Sequence, residues 1–168
     1  MRTWLIWLGA LFIFGQFYSM VEQKEALRRN GQDILLKLAP RDPRSLMQGD
    51  YMALGYDLAN KLYTLQTSDA GAHIPSTGAV ILHLDDHRVA EFVRIDDGTA
   101  LAAGEQRLRY RRSDDMFTFG VENYFVPEGT GDAFKNAVYG DVRVSATGDA
   151  LLVGLCDKDF QLLKIPAK

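Results

Sequence analysis

Residues 79–95, AVILHLDDHRVAEFVRI, consist of two apolar-rich runs on either side of a short polar turn. Each run has the period of two that is typical of a strand, and the turn DDH places the runs at hairpin distance. The stretch therefore predicts a β-hairpin.

Similar short runs continue on both sides of this hairpin, at residues 33–40, 51–59, 105–112, 116–126, 141–146, 149–155 and 161–165. In the run at residues 105–112, Leu108 and Tyr110 alternate with Arg107, Arg109 and Arg111, which predicts that these arginines form one solvated face. Helical spacing is found only at residues 128–140. The connections are too short for helical crossovers, so the pattern predicts one mainly β domain, a sandwich or a partly open barrel with one short helix, over residues 31–168.

The first 30 residues differ from this pattern. From Trp4 to Val21 the chain is apolar and uncharged, with Gln16 as its one strongly polar residue. A helix of this length rises about 27 Å, close to the roughly 30 Å hydrocarbon core of a bilayer. The run ends in bulky residues rather than the small ones of a signal cleavage site, which favours an uncleaved transmembrane anchor over a cleaved signal. The polar extension ends at Asn30 and Gly31, a typical helix stop.

The overall charge gives little reason to expect a nucleic-acid partner, because the 168-residue chain has a formal net charge of −3. Lys24, Arg28 and Arg29 follow the apolar run, and by the positive-inside rule they favour a cytoplasmic body. The single cysteine, Cys156, cannot form an internal disulfide, and its apolar neighbours indicate a packed strand residue.

Residues 42–56, DPRSLMQGDYMALGY, combine turn chemistry with a charged network. Pro43 restricts Asp42 to extended backbone, and Gly49 permits a turn just before the strand. Asp42, Arg44 and Asp50 can form charge-assisted bonds that hold the loop, which favours a structural role, with a binding or interaction loop as the alternative.

Catalytic and metal-binding patterns are weak. Ser45 has neither a G-x-S-x-G elbow nor an S-x-x-K lysine around it. His83, Asp85, Asp86 and His87, with His73 farther away, are possible zinc ligands, but a hairpin turn explains the four adjacent ones more simply. The glycines of VPEGTG could approach an anion at a helix start, but Glu128 would repel phosphate. We therefore predict no catalytic residues, no metal and no cofactor.

The segment GDYMALGY contains Gly49, Asp50, Tyr51, Leu54 and Tyr56 in the spacing of a named motif. Together with DPRSLMQ, ENYFVPEGTG, YGDVRV and DALLVGL, it resembles the GDYXXLXY family from about residue 34 to residue 155. The resemblance implies a bacterial inner-membrane protein with one membrane-spanning segment and an extracytoplasmic body, against the charge count. It also implies an integral membrane protein as partner, and it brings no established catalytic residues.

A weaker likeness to type I signal peptidases would supply a fold. Counting back from Gly49 to the position of that family's nucleophilic serine reaches Arg41, and the position of its lysine base corresponds to Arg94. A guanidinium cannot act as a base near neutral pH, so peptidase chemistry is not expected.

These observations predict a non-enzymatic accessory or interaction domain of a membrane complex, tethered to the lipid bilayer by the run from Trp4 to Val21. The alternatives are a hydrolase, signal-peptidase-like or metal-dependent, and a module that senses a ligand or peptide. The predicted interaction residues are Asp42, Pro43, Arg44, Gly49, Asp50, Tyr51, Leu54, Tyr56, Glu128 and Gly129.

Overall fold

A computed structural model describes residues 3–40, 47–48, 51–68, 74–114, 116–127 and 130–164. Two α-helices lie in these ranges, α1 (Thr3–Asn30) and α2 (Asp57–Thr67). The strands are β1 (Gln32–Lys37), β2 (Met47–Gln48), β3 (Tyr51–Ala53), β4 (Thr77–Leu84), β5 (Ala90–Ile95), β6 (Glu105–Ser113), β7 (Met116–Thr118), β8 (Asn123–Phe125), β9 (Tyr139–Val144) and β10 (Ala150–Cys156). The chain is mainly β, which confirms the predicted fold class at this level.

The strands form three antiparallel sheets, with orders β5-β4-β6-β7, β1-β9-β10 and β2-β3-β8. The predicted 79–95 hairpin corresponds to β4 and β5, with Val80 opposite Ile95. Its turn is held by Asp85, whose Oδ1 accepts the backbone N–H groups of His87 and Val89, each at 2.8 Å. Such side-chain acceptance is why aspartate favours turns.

The sheet β5-β4-β6-β7 and the sheet β1-β9-β10 are linked by backbone hydrogen bonds at two places in the described structure. The Leu35 amide of β1 donates to the Arg88 carbonyl at 2.8 Å, and the Arg109 amide of β6 donates to the Gly148 carbonyl in the β9–β10 turn at 2.9 Å. The linked sheets curve into a half-barrel around one apolar core. That core contains residues from all three sheets and from α2, among them Ile34, Val80, Leu108, Val142 and Leu62.

The prediction of one short helix at residues 128–140 is wrong. Gly131–Phe134 forms a single 3₁₀ turn, and the helix of the body is α2. Residues 57–59, predicted as the end of a strand, begin this helix. Leu58, Leu62 and Leu65 then fall on one side of α2 and pack against the core.

The run at residues 161–165 was also predicted as a strand. Among its described residues, Leu162 makes one isolated bridge to Cys156, and Leu163 donates its amide to the Leu155 carbonyl.

In the described part of the chain, no helix combines the length and the apolar character needed to cross a membrane.

Candidate functional site

The motif segment is partly described by the structure. The backbone of Tyr51 lies in β3, opposite Phe125 of β8, while the side chains of Leu54 and Tyr56 are buried in the core. Tyr56 therefore supports the fold from within the core, while Leu54 is a core residue that also lines a groove described below. The remaining predicted interaction residues lie outside the described ranges, as does Ser45: Asp42, Pro43, Arg44, Gly49, Asp50, Glu128 and Gly129.

Tyr56 is the most constrained motif residue. Its side chain is 2 % exposed, its hydroxyl donates to the Val121 carbonyl at 2.7 Å, and its ring meets Phe119 edge-on with centroids 6.1 Å apart. Burial, with a smaller contribution from Glu122, raises the pKa of Tyr56 far above its usual range. The phenol is therefore a neutral hydrogen-bond donor. A Cβ on Gly140 would lie 3.2 Å from this ring, so glycine there gives the ring its space.

An apolar groove of about 300 Å³ lies next to the motif strand. Its walls include Met52 and Leu54 from the motif and Phe134 from the 3₁₀ turn. On one side it is bordered by Lys37, whose ammonium pairs with Asp57 at 3.4 Å. Met52 and Leu54 are therefore core residues that also form part of the groove wall.

Helix α1 has an unusual surface. Its large apolar side chains between residues 4 and 21 are about half to three-quarters exposed, as in Trp7 and Leu11, both 75 % exposed. The others with described, exposed side chains are Trp4, Leu8, Phe12, Ile13, Phe14, Phe17, Tyr18, Met20 and Val21. They surround the helix, so no single apolar stripe turns toward the body.

The last turns of α1 join the body. Leu27 is 9 % exposed, and a Cβ on Gly31 would clash with the Leu27 carbonyl at 2.5 Å, so the helix continues closely into β1. The helix packs beside the β9–β10 turn, where a cleft is lined by Gln23 and Lys24 on one side and by residues 145–147 and Asp149 on the other. The β9–β10 turn therefore lies beside the end of the apolar run.

A second concave surface, the arginine groove, is formed by the outer side of β6 and its neighbours and encloses about 860 Å³. Arg107, Arg109 and Arg111 occupy alternate positions on β6 and line it, while Leu108 and Tyr110 are buried. Thr147 and Asp149 of the β9–β10 turn also line it. The same turn thus borders both this groove and the cleft beside α1.

Two of the three arginines are held by acids. Arg107 Nε donates to Asp96 Oδ2 at 2.6 Å, and Arg109 Nη1 donates to Asp149 Oδ1 at 2.9 Å. The bond from Arg107, with one from the Gly98 amide, lowers the pKa of Asp96, and bonds from Thr147 and Arg109 lower the pKa of Asp149. Both acids are therefore ionised at neutral pH. Arg111 has no acidic partner among the described residues, which leaves the groove one cation in excess.

The HLDDH segment is explained by the hairpin turn. Asp85 accepts the two turn amides, and the His87 ring stacks on Phe160 with centroids 4.7 Å apart. Within the described ranges, no three histidine, cysteine, aspartate or glutamate side chains are placed to hold a metal ion, and His73 lies outside them. Arg94, at the position of the peptidase lysine, pairs with Glu105 at 2.9 Å.

A charged cluster lies on the outer face of β1 and β9. Asp33 pairs with Arg88 at 3.2 Å and with Arg143, while Asp141 Oδ1 is buried and has no hydrogen-bond partner among the described residues. Burial and the nearby Asp33 carboxylate raise the pKa of Asp141.

Burial is also the main cause that raises the pKa of the Cys156 thiol, so that cysteine is a poor nucleophile.

Sequence reasoning found the arginine face but missed the groove. The alternation along β6 predicts that the three arginines share one side, whereas the wall from the β9–β10 turn depends on contacts between residues about 40 positions apart. No local signal marks that contact.

Comparison with known proteins supports the family resemblance. No curated protein and no solved structure matches the chain. A family model described as GDYXXLXY protein matches residues 13–155, which is most of the chain and includes the motif segment and both linked sheets. The chain therefore belongs to the GDYXXLXY family.

Proposed function

We propose that the chain is a membrane-anchored, non-enzymatic accessory domain in which α1 inserts into a lipid bilayer and the half-barrel body binds a partner in the membrane. The observation that carries this proposal is the apolar surface of α1 between residues 4 and 21, which the body leaves exposed on all sides.

The exposed area is too large to remain in water. Burying one large apolar side chain is worth about 1.5–3 kcal/mol, so the eleven exposed side chains of this segment together represent on the order of 20 kcal/mol. A whole domain is stabilised by only about 5–15 kcal/mol. An exposed apolar surface of this size strongly favours a covering medium. Lipid suits it, because the segment is uncharged and has Trp4 and Trp7 near one end and Tyr18 near the other, as membrane interfaces favour.

Flotation of the full chain with phospholipid vesicles tests the anchor. Wild type is expected to float with the vesicles and to resist alkaline carbonate extraction. Phe14→Asp, which places a charge in the apolar run, should reduce the floating fraction several-fold. Met116→Asp is the matched control, because Met116 is a comparably exposed apolar residue of the body. Equal flotation of both variants, or recovery of wild type without lipid, would contradict the proposal.

We place the body on the extracytoplasmic side of the bacterial inner membrane, on the strength of the family resemblance. A reporter fused to the carboxyl terminus and active only outside the cytoplasm should be active in cells. An inactive reporter together with an active cytoplasmic one would reverse the orientation.

We propose that the presented surface of the body consists of the loop at residues 42–50, the loop around Glu128 and the apolar groove lined by Met52 and Leu54. Leu54 contributes to this surface as a core residue that also lines the groove, whereas Tyr56 acts within the core. A pull-down in mild detergent tests this: Asp50→Ala and Glu128→Ala should each weaken recovery of an integral membrane partner, whereas Lys158→Ala, on the exposed β10 end, should not. Unchanged recovery of the partner by correctly folded variants would contradict a role of these loops in partner binding.

A further inference from the structure

We propose that the arginine groove binds the phosphate of an anionic lipid headgroup at the membrane surface. This inference rests on the proposed membrane anchor. It adds a second, lipid-specific contact made by the body itself.

The first step is the position of the groove relative to α1. The apolar run ends at Val21, and the β9–β10 turn packs beside Gln23 and Lys24. At about 1.5 Å per residue, these positions are within roughly 5 Å of the end of the run along the helix axis. If the run lies in the hydrocarbon region, the turn lies among the headgroups. Thr147 and Asp149 of this turn also form one wall of the arginine groove.

The second step is the chemistry of the groove. Arginine presents a planar fork that matches phosphate oxygens, and each guanidinium has five N–H donors. Asp96 and Asp149 hold Arg107 and Arg109 in place but use only some of those donors. Arg111, which has no acidic partner in the described part of the chain, supplies the uncompensated charge.

The third step is the size and surroundings of the groove. A volume of about 860 Å³ is in the range of small-molecule sites and can take a headgroup. Lys24 lines the cleft beside the β9–β10 turn, and Arg28 and Arg29 follow it on α1, largely exposed and both paired with the single carboxylate of Glu25. Basic residues near an anionic membrane surface are attracted to its lipids, so the excess positive charge of this segment favours the same lipids as the groove.

The test uses the full chain in nonionic detergent, titrated with dihexanoyl phosphatidylglycerol or with dihexanoyl phosphatidylcholine, which has the same acyl chains without the net charge. Binding to the native state raises the thermal midpoint. For a body of this size we expect phosphatidylglycerol at about ten times Kd to raise the midpoint by about 3 °C, and phosphatidylcholine to raise it by less than half as much. About 0.5 M salt should remove most of the difference.

Arg111→Gln should lose the shift with phosphatidylglycerol, since it removes a cation that has no acidic partner among the described residues and leaves the pairs of Arg107 and Arg109 in place. Lys158→Gln is the control: it also removes one positive charge, together with a highly exposed ion pair to Asp159. Lys158 lies just beyond Cys156, at the end of β10 far from the β9–β10 turn. This variant should retain the shift. A third arm titrates inorganic phosphate alone, which should give no comparable shift.

Each other outcome overturns the inference in a distinct way. Equal midpoint shifts in Arg111→Gln and wild type would show that the groove is not the binding site. Equal midpoint shifts with the two lipids would show that the headgroup charge does not cause binding. A full shift with inorganic phosphate makes the ligand a free anion instead of a lipid. Flotation separates this result from the anchor: a chain that floats but shows no phosphatidylglycerol shift loses only this inference, whereas one that does not float loses both.

Discussion

Individual residues show how the family motif contributes to the molecule. Two of its described positions, Leu54 and Tyr56, are buried, and Tyr56 connects the end of the motif strand to Val121 through a hydrogen bond in the core. A motif that names a family invites a search for chemistry, yet these positions are explained by packing. Sequence alone could not separate the two roles, because a tyrosine in an alternating segment fits a core as well as a surface.

Tyr56→Phe is expected to lower the free energy of unfolding by about 1 kcal/mol, because it leaves the buried Val121 carbonyl without its donor while keeping the ring. Chemical denaturation in nonionic detergent measures the change. Tyr63→Phe removes the same atom from a side chain that is about half exposed, and it should change stability by less than about 0.5 kcal/mol. Similar losses in the two variants would show that the Tyr56 bond does not stabilise the core.

Asp141→Asn is expected to gain stability relative to wild type as pH rises. The pKa of Asp141 is higher in the folded chain than in the unfolded chain, so between those two values the folded state binds more protons. Wild type therefore loses stability as pH increases through that window, and the asparagine variant lacks this loss. Unfolding free energies from about pH 3 to about pH 7 measure the difference.

The exposed Asp159→Asn serves as the control and should follow the wild-type pH profile. A difference between Asp141→Asn and wild type that stays constant with pH would mean that the Asp141 carboxylate is not destabilised by its surroundings.

At the level of elements, the strands were more predictable than the helices. The β4–β5 hairpin is visible in the sequence because the alternating runs and the acidic turn agree with each other. Helix α2 was missed because the alternation of the motif segment continues into its first residues, although Leu58, Leu62 and Leu65 have helical spacing. Helix α1 is continuous through its apolar and polar parts, and Leu27 is where it packs against the body.

Leu27→Ala is expected to reduce stability by about 2 kcal/mol, the low end for a buried leucine, because the site is at the edge of the body. Urea denaturation in nonionic detergent measures it. Leu11→Ala makes the same chemical change on a highly exposed part of α1 and should leave the body's unfolding transition in place. Equal effects would indicate that α1 does not pack on the body through Leu27.

At the level of the whole molecule, the arrangement of the two linked sheets decides which end of the body is next to α1. The β9–β10 hairpin runs the length of its sheet, with its turn beside α1 and its open end near Asp157 and Phe160. This polarity follows from the antiparallel pairing of β1 with β9, which places Gln32, just after α1, opposite Val144, just before the turn. It could not be read from the sequence, because the paired residues are far apart along the chain.

A dye attached at Ala146→Cys should move to a less polar environment when the chain is reconstituted in vesicles, because Ala146 is an exposed residue of the turn beside α1. The same dye at Lys158→Cys, beyond the other end of β10, should not respond. Fluorescence emission measures both, and the buried Cys156 should label slowly. Equal emission shifts at the two positions would contradict the proposed orientation.

The close joint at Gly31 has a consequence for how the body can meet other molecules. Only this residue separates the end of α1 from β1, and the Leu27 contact holds the two together. The domain therefore has no flexible stalk with which to search the space above a bilayer. Its encounters would depend on lateral diffusion in two dimensions, so proteins embedded in the same membrane would meet it at a fixed height and tilt.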